Sequence, residues 1–223
     1  MKTYRFAYGS GTVEFPLEEE NIIGELHGNV VEPISDIRKE LWASLDAPID
    51  SAPLCRRVTP GSTVALVVSD MSRFWMRQDL VVPHLVDYLT QRCGVSERDI
   101  TIVIANGTHT GGDEAELRTL VTDAVYDRIT VENHNCESED LVYLGTTPHG
   151  TPVSINRTAA LADMVICLGA ATHHVMAGFG GGRKSILPGI SGRETIFHNH
   201  AFSLDAAALR SNPAVGNGIL QGN

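Results

Sequence analysis

Val64-Ala65-Leu66-Val67-Val68 is an unbroken apolar run rich in β-branched side chains. A strand with one wet face would alternate apolar and polar residues. A continuous run of this length reads instead as a strand buried on both faces, the habit of parallel sheets. Working downstream, 82–93 reads as a helix, with Gly94 standing where a helix-ending glycine belongs. Ile100-Thr101-Ile102-Val103-Ile104-Ala105 is a second strand, and 113–124 a helix opened by acidic residues. Ile129-Thr130-Val131-Glu132 and Val153-Ser154-Ile155 read as further strands, 159–162 as a short helix, and Met164-Val165-Ile166-Cys167-Leu168 as another buried strand. Strands alternating with helices predict a doubly wound, mostly parallel α/β sheet over 61–223.

Upstream of that core, Tyr4, Phe6 and Tyr8 alternate with other residues, as do Val13 and Phe15, around a Gly9-Ser10-Gly11 turn signal. Residues 2–15 therefore predict an N-terminal β-hairpin. The stretch 17–60 is polar and proline-punctuated, with one amphipathic helix expected around 34–46. The chain thus divides into an irregular part with the hairpin (1–60) and an α/β core (61–223).

A net charge of −10 over 223 residues argues against nonspecific nucleic-acid binding, which neutralises phosphates with Lys and Arg. An anionic ligand remains compatible with an acidic protein through a locally positive pocket. Cys55, Cys93, Cys136 and Cys167 are widely spaced and form no CxxC pair, so four reduced thiols in a cytoplasmic protein are expected. The N-terminus lacks an apolar signal region, and no stretch approaches a membrane span. No membrane partner is expected.

Right-handed crossovers place the carboxyl ends of all parallel strands on one sheet edge, where open α/β sheets bind ligands. Asp70 and Arg73 follow the first strand of the core; Asn106, Thr108 and His109 follow the second; His173 and His174 follow the last. Next comes the densest segment, His173-His174-Val175-Met176-Ala177-Gly178-Phe179-Gly180-Gly181-Gly182-Arg183-Lys184-Ser185. Glycines let the backbone approach an anion closely, and Arg183 and Lys184 add two cations. A phosphate-binding P-loop is excluded because Arg183 stands where its last glycine belongs. A flexible loop with a solvated Arg-Lys pair is the plainer alternative. Further on, His198 and His200 alternate so that both fall near one candidate metal, and four of the nine histidines lie within 173–200.

The run from His174 through Gly178-Phe179, Gly181-Gly182-Arg183-Lys184 and Pro188-Gly189 to His200 resembles the signature of the nickel-dependent lactate racemase family. Gly107-Thr108-His109 and Asp70-x-x-Arg73 resemble its upstream motifs; Gly180 departs from a serine common there. The resemblance covers nearly the whole chain but only the N-terminal part of a family member, whose second domain, closing over the substrate, lies beyond Asn223. It implies a racemase or epimerase of lactate or a similar 2-hydroxyacid. The implied cofactor is nickel in a pyridinium-3,5-dithio mononucleotide (a nickel-pincer group) carried covalently on Lys184. By the same resemblance Gly180, Gly181, Gly182 and Arg183 bind the cofactor and His200 completes the nickel coordination. His109 and His174 are the paired acid/bases, and Asp70 and Arg73 orient a histidine and the substrate carboxylate. Cofactor-maturation proteins are implied partners.

Chemistry favours this assignment. Removing the hydroxyl proton while hydride leaves C2 avoids a carbanion beside a carboxylate, and the planar 2-oxoacid accepts hydride on either face. Each enantiomer's hydroxyl needs a base, and histidine titrates near working pH. Arg offers a fork for the carboxylate. Two alternatives stand beside this reading: a zinc-type hydrolase using His198, His200 and an acidic partner, and a cofactor-binding domain without turnover. His109, His174, Lys184 and His200 are expected to line one cleft. His173 and His198 read as supporting residues, and His134, His149, His84 and His27 carry no motif.

Overall fold

The computed structural model describes residues 1–205, 207, 210–213, 215, 216, 218 and 219, in two compact units that divide after Ser35. The first unit holds the expected hairpin: β1 (Lys2–Tyr8) pairs antiparallel with β2 (Gly11–Leu17), with Tyr4 opposite Phe15 and Phe6 opposite Val13. Gly9 turns the chain at φ +58°.

The second unit opens with α1 (Ile37–Asp46), whose N-cap Asp36 accepts the Lys39 amide at 2.9 Å. There follow α2 (Leu54–Arg57), β3 (Val64–Ser69) and α3 (Val82–Asp87), which continues as a π-helical turn over Tyr88–Arg92. Then come β4 (Ile100–Ala105), α4 (Glu114–Val121), α5 (Asp123–Tyr126) and β5 (Thr130–Asn133). β6 (Val142–Thr146), β7 (Pro152–Ile155), α6 (Arg157–Leu161) and β8 (Met164–Cys167) complete the frame. The loop region adds β9 (His173–His174), β10 (Gly178–Phe179), α7 (Arg183–Ile186) and α8 (Arg193–Ala201).

β5, β4, β3 and β8 form one parallel sheet in that order. β3 is central, and its alternate side chains feed two cores. Val64, Leu66 and Val68 join Ile100, Ile102, Ile104 and the apolar faces of α3 and α4. Ala65 and Val67 meet Val103, Ala159 and Ile190 on the other face. The continuous apolar pattern of Val64–Val68 therefore has its physical cause in helices covering both sides. Since β4 and β5 extend one way from β3 and β8 the other, the strand order reverses at β3, the place where such sheets open a ligand crevice.

Several expectations change in detail. The 113–124 helix breaks at Thr122, which takes φ +77°, and restarts as α5. Val153–Ile155 does not join the main sheet; it pairs antiparallel with β6 across a register shift between Tyr143 and Gly145. Four free thiols were expected, but Cys55 and Cys93 are joined in a disulfide, while Cys136 and Cys167 are free. Packing of α2 on the end of the π-helical turn brings their Cα atoms to 4.7 Å although 38 residues separate them. Gly94 closes that turn at φ +72°, as its position in the sequence suggested.

α1 belongs to this unit through Trp42, whose indole N–H donates to the His84 carbonyl at 3.0 Å and whose ring meets Tyr88 edge-on. The Tyr88 hydroxyl donates to Asp46 at 2.6 Å; burial first, and Asp46 second, push its pKa up to about 12. Among the described residues no helix is long and apolar enough to cross a membrane.

One buried polar side chain sets where β3 stops. Gln78 accepts the Ser69 amide at 3.1 Å and donates to the Ser69 carbonyl at 2.8 Å, acting as a surrogate strand neighbour just before Asp70. Gln78→Ala strands both backbone groups, and we expect a loss of about 2–4 kcal/mol of unfolding free energy. Urea unfolding at unchanged slope measures it; a loss below about 0.5 kcal/mol contradicts the assignment.

Candidate active site

The loop leaving β3 places Asp70, which is 8% exposed. Its Oδ1 accepts the Ser72 hydroxyl at 2.6 Å and lies 3.6 Å from Arg73 Nη1. Its Oδ2 lies 2.5 Å from His109 Nδ1. That contact assigns the His109 proton to Nδ1 and leaves the Nε2 lone pair free. His109 reaches this position because Gly107 takes φ +57° and the His109 amide closes back on the Asn106 carbonyl at 2.9 Å.

Beyond β8, the short β9–β10 ribbon carries His174. Its Nδ1 accepts two amides, from Met176 at 3.2 Å and Ala177 at 3.1 Å, so the neutral ring holds its proton on Nε2. Burial holds its pKa below the ordinary histidine value, and the charges of Lys184, Arg73 and His200 act in the same direction. His109 and His174 are thus held in opposite tautomers, one offering a lone pair and the other a proton.

The glycine loop is shaped by close approach. A Cβ on Gly181, which takes φ +71°, would lie 2.8 Å from the Ala170 carbonyl oxygen; one on Gly180 would lie 2.7 Å from Thr172 Oγ1. The Gly180 amide donates to the Thr172 carbonyl. Among the described residues the amides of Gly181, Gly182 and Arg183 have no acceptor. Lys184 follows, half-buried; burial and then the Arg73 charge lower its pKa, with Asp70 opposing them. On α8, His200 donates Nδ1–H to the Ile196 carbonyl at 2.8 Å, so its Nε2 lone pair is available to a metal.

Two adjoining cavities meet at these residues. One, of about 920 Å³, is lined by Gly182, Arg183, His149 and Phe202 among others; the second, of about 470 Å³, by Arg73, Thr108 and His109. His174, Gly180, Gly181, Lys184 and His200 line both and form the shared wall. The expected cleft thus exists at the carboxyl edge, with His109 on the same edge as Lys184. Asp70 contacts His109 and lines neither cavity.

The remaining histidines separate. His198 and His200 were expected near one metal, but they lie two apart on a helix, where successive positions turn by about 100° and such residues face apart. His198 Nδ1 contacts Thr151 Oγ1 at 3.3 Å and its ring meets Phe202. Among the described residues no group of three His, Cys, Asp or Glu is placed to hold a metal, so the zinc-hydrolase alternative has no ligand set. His173 is exposed and stacks near Phe179. His134, which carried no motif, is 2% exposed and donates Nε2–H to the Ser191 carbonyl at 2.9 Å, bracing the turn that follows Lys184; burial lowers its pKa.

Comparison with known proteins places the chain by sequence and by fold. A lactate racemase from Thermoanaerobacterium thermosaccharolyticum is 28% identical over the whole of this chain and 51% of its own length. A lactate racemase from Lactiplantibacillus plantarum is 29% identical over 87% of this chain and 46% of its own. The structure of the lactate racemase apoprotein from T. thermosaccharolyticum superposes with a TM-score of 0.81 at 26% identity, covering 99% of this chain and 50% of that one. The chain spans about half the length of the curated relatives it matches. Residues 8–211 match the model of the lactate racemase N-terminal domain, and the chain belongs to that family.

Proposed function

We propose that this chain is the part of a 2-hydroxyacid racemase or epimerase that holds the nickel-pincer mononucleotide and supplies both acid/base histidines. The observation that carries this reading is the shared wall of the two cavities, where His174, Lys184 and His200 meet, with His109 across the smaller one. The residues fit the group. Lys184 is a half-buried amine with a lowered pKa, suited to covalent attachment. His200 offers one open imidazole nitrogen, enough for a metal whose other ligands belong to the cofactor. The open amides of Gly181, Gly182 and Arg183, beside the Arg183 side chain, suit a phosphate. When bound, the group supplies an acceptor for the hydrogen on C2.

The chain's own residues then divide the work. Arg73 lines the smaller cavity and pairs with the substrate carboxylate. His109 Nε2 takes the hydroxyl proton, and the Asp70 carboxylate holds the ring and stabilises its charge. Neutral His174 donates its Nε2–H to the oxygen of the 2-oxoacid. To return a proton the ring must be charged on both nitrogens, which requires Nδ1 to release the Met176 and Ala177 amides and afterwards leaves the Nε2 lone pair to act as the base. The anionic substrate favours that charged form, which burial disfavours in the free protein. Each turnover exchanges the roles of the two histidines. Substrates of this class and the cofactor-maturation proteins are the partners this reading requires, and a cytoplasmic location goes with them.

Two experiments test it. In a protein carrying this chain with the remaining half of a lactate racemase, made with the maturation proteins, His109→Ala and His174→Ala each slow racemisation by about 10²–10⁴-fold. Both retain nickel by elemental analysis, whereas His200→Ala loses it. Nickel lost from His174→Ala and kept by His200→Ala reverses the roles; full activity in both acid/base variants refutes them. The second test uses the chain alone. Its lysines are Lys2, Lys39 and Lys184. Because the Lys184 pKa is lowered while that of Lys2 is raised, the neutral amine appears at lower pH on Lys184. Trace acetylation across pH, read by peptide mass, should give Lys184 a reactivity midpoint below that of Lys2; a midpoint at or above it contradicts the electrostatic account.

A further inference from the structure

The smaller cavity, of about 470 Å³, is lined by residues of the second compact unit. Among the described residues its fixed charges are Arg73 and Lys184, and no carboxylate lines it. Its lining also includes Trp75, Met76 and Phe197, three large apolar side chains. Trp75 and Met76 belong to the 3₁₀ segment Met71–Met76 that carries Arg73. Met76 is tied down there, since its Sδ accepts the Ala170 amide from the loop after β8 at 3.3 Å. Phe197 stands on α8 three residues before His200, so the two share one helix face. Its ring is backed by the Arg193 guanidinium, 4.8 Å from the ring centroid, and Arg193 is itself paired with Glu137. Trp75 thus accompanies the arginine assigned to the substrate carboxylate, and Phe197 accompanies the histidine assigned to the metal.

We propose that the substrate this site takes is a 2-hydroxyacid whose C2 substituent is a bulky hydrocarbon, aryl by preference, received by Trp75 and Phe197. The proposal rests on the racemase reading above, which assigns the other three groups on C2. The carboxylate goes to Arg73, the hydroxyl to His109 and His174, and the hydrogen to the wall that carries Lys184 and His200. The fourth group takes what remains of the lining. A second carboxylate finds no cation there, because Arg73 holds the first and Lys184 is committed to the cofactor. A methyl group covers little of an indole or a phenyl ring and leaves both facing water. A benzyl or branched alkyl group removes apolar area on both sides of the contact from water, which is where affinity arises. Small-molecule sites commonly divide the work in this way: a few polar groups fix orientation, and apolar or aromatic walls hold the rest.

Isothermal titration of this chain with single enantiomers of phenyllactate, lactate and malate, and with phenylpropanol, tests the proposal. Phenyllactate should bind about ten-fold or more tighter than lactate, the scale on which an apolar pocket discriminates. Malate should bind no tighter than lactate, and phenylpropanol, which lacks the carboxylate, more weakly than phenyllactate. The double substitution Trp75→Ala with Phe197→Ala should lower the ratio of phenyllactate to lactate affinity by about ten-fold, whereas Trp75→Phe should keep it. Arg73→Ala should weaken both acids and leave their ratio alone. Equal affinities for the two acids overturn the proposal, as does a ratio that survives the double substitution. Tightest binding of malate, equal binding of phenylpropanol, or no saturable binding of any acid also overturns it. Nickel content and turnover of the matured protein judge the racemase reading separately. A preference that depends on Trp75 and Phe197 in a matured protein without turnover defeats that reading alone; lactate turnover without the preference defeats this proposal alone.

Discussion

A single backbone hydrogen bond, from the Gly107 amide to the Gly189 carbonyl at 2.9 Å, ties the loop that ends β4 to the turn that follows Lys184. Neither glycine is replaceable without cost. Gly107 takes φ +57° against the Pro188 ring, and a Cβ on Gly189 would lie 2.1 Å from the Ser185 carbonyl oxygen and 2.9 Å from Ala105. The same turn returns its amide to the Lys184 carbonyl at 3.1 Å, and its Ser191 carbonyl accepts the buried His134 proton. The distance between His109 on one loop and Lys184 on another is therefore fixed by backbone contact at their base. Side-chain reach plays little part. A site built so holds its groups in place before any ligand arrives, and the cost of ordering them belongs to folding.

Electrostatics follow from that placement. The chain as a whole is acidic, with a net charge of −10, yet its carboxyl-edge cleft brings Arg73 and Lys184 to the buried carboxylate of Asp70, with Arg183 on the wall of the larger cavity. Crowded cations in a half-buried site depress one another, and the directions at Lys184 and His174 reflect this on top of burial. An anion bearing a carboxylate or a phosphate relieves the crowding. The locally positive pocket that an acidic protein needs for an anionic ligand is thus assembled from two segments distant in the chain, the loop after β3 and the glycine loop.

Much of this was legible in the sequence because it obeys local periodicity. β3, β4 and β8 announce themselves as apolar runs, the hairpin as alternation around Gly9-Ser10-Gly11, and the helix end as Gly94. Once the strands are known, the carboxyl-edge rule brings Asp70, His109 and His174 together. What stayed hidden depends on contacts distant in the chain. Cys55 and Cys93 meet only because α2 packs on the π-helical turn. β6 is masked by the irregularity at Leu144, which breaks the strand's alternation. Gln78 and His134 give no pattern, since each is a polar residue whose burial is justified by one backbone partner. The pairing of His198 with His200 failed because a two-residue repeat was applied to a segment that is helical.

The central claim is that the wall shared by the two cavities is a cofactor site anchored on Lys184. Peptide mass spectrometry of the protein made together with the cofactor-maturation proteins tests it most directly. The account predicts a nucleotide-sized mass increment on the peptide that contains Lys184, absent from the peptides of Lys2 and Lys39 and abolished by Lys184→Ala. A matured, nickel-containing and active protein whose Lys184 is unmodified would contradict it.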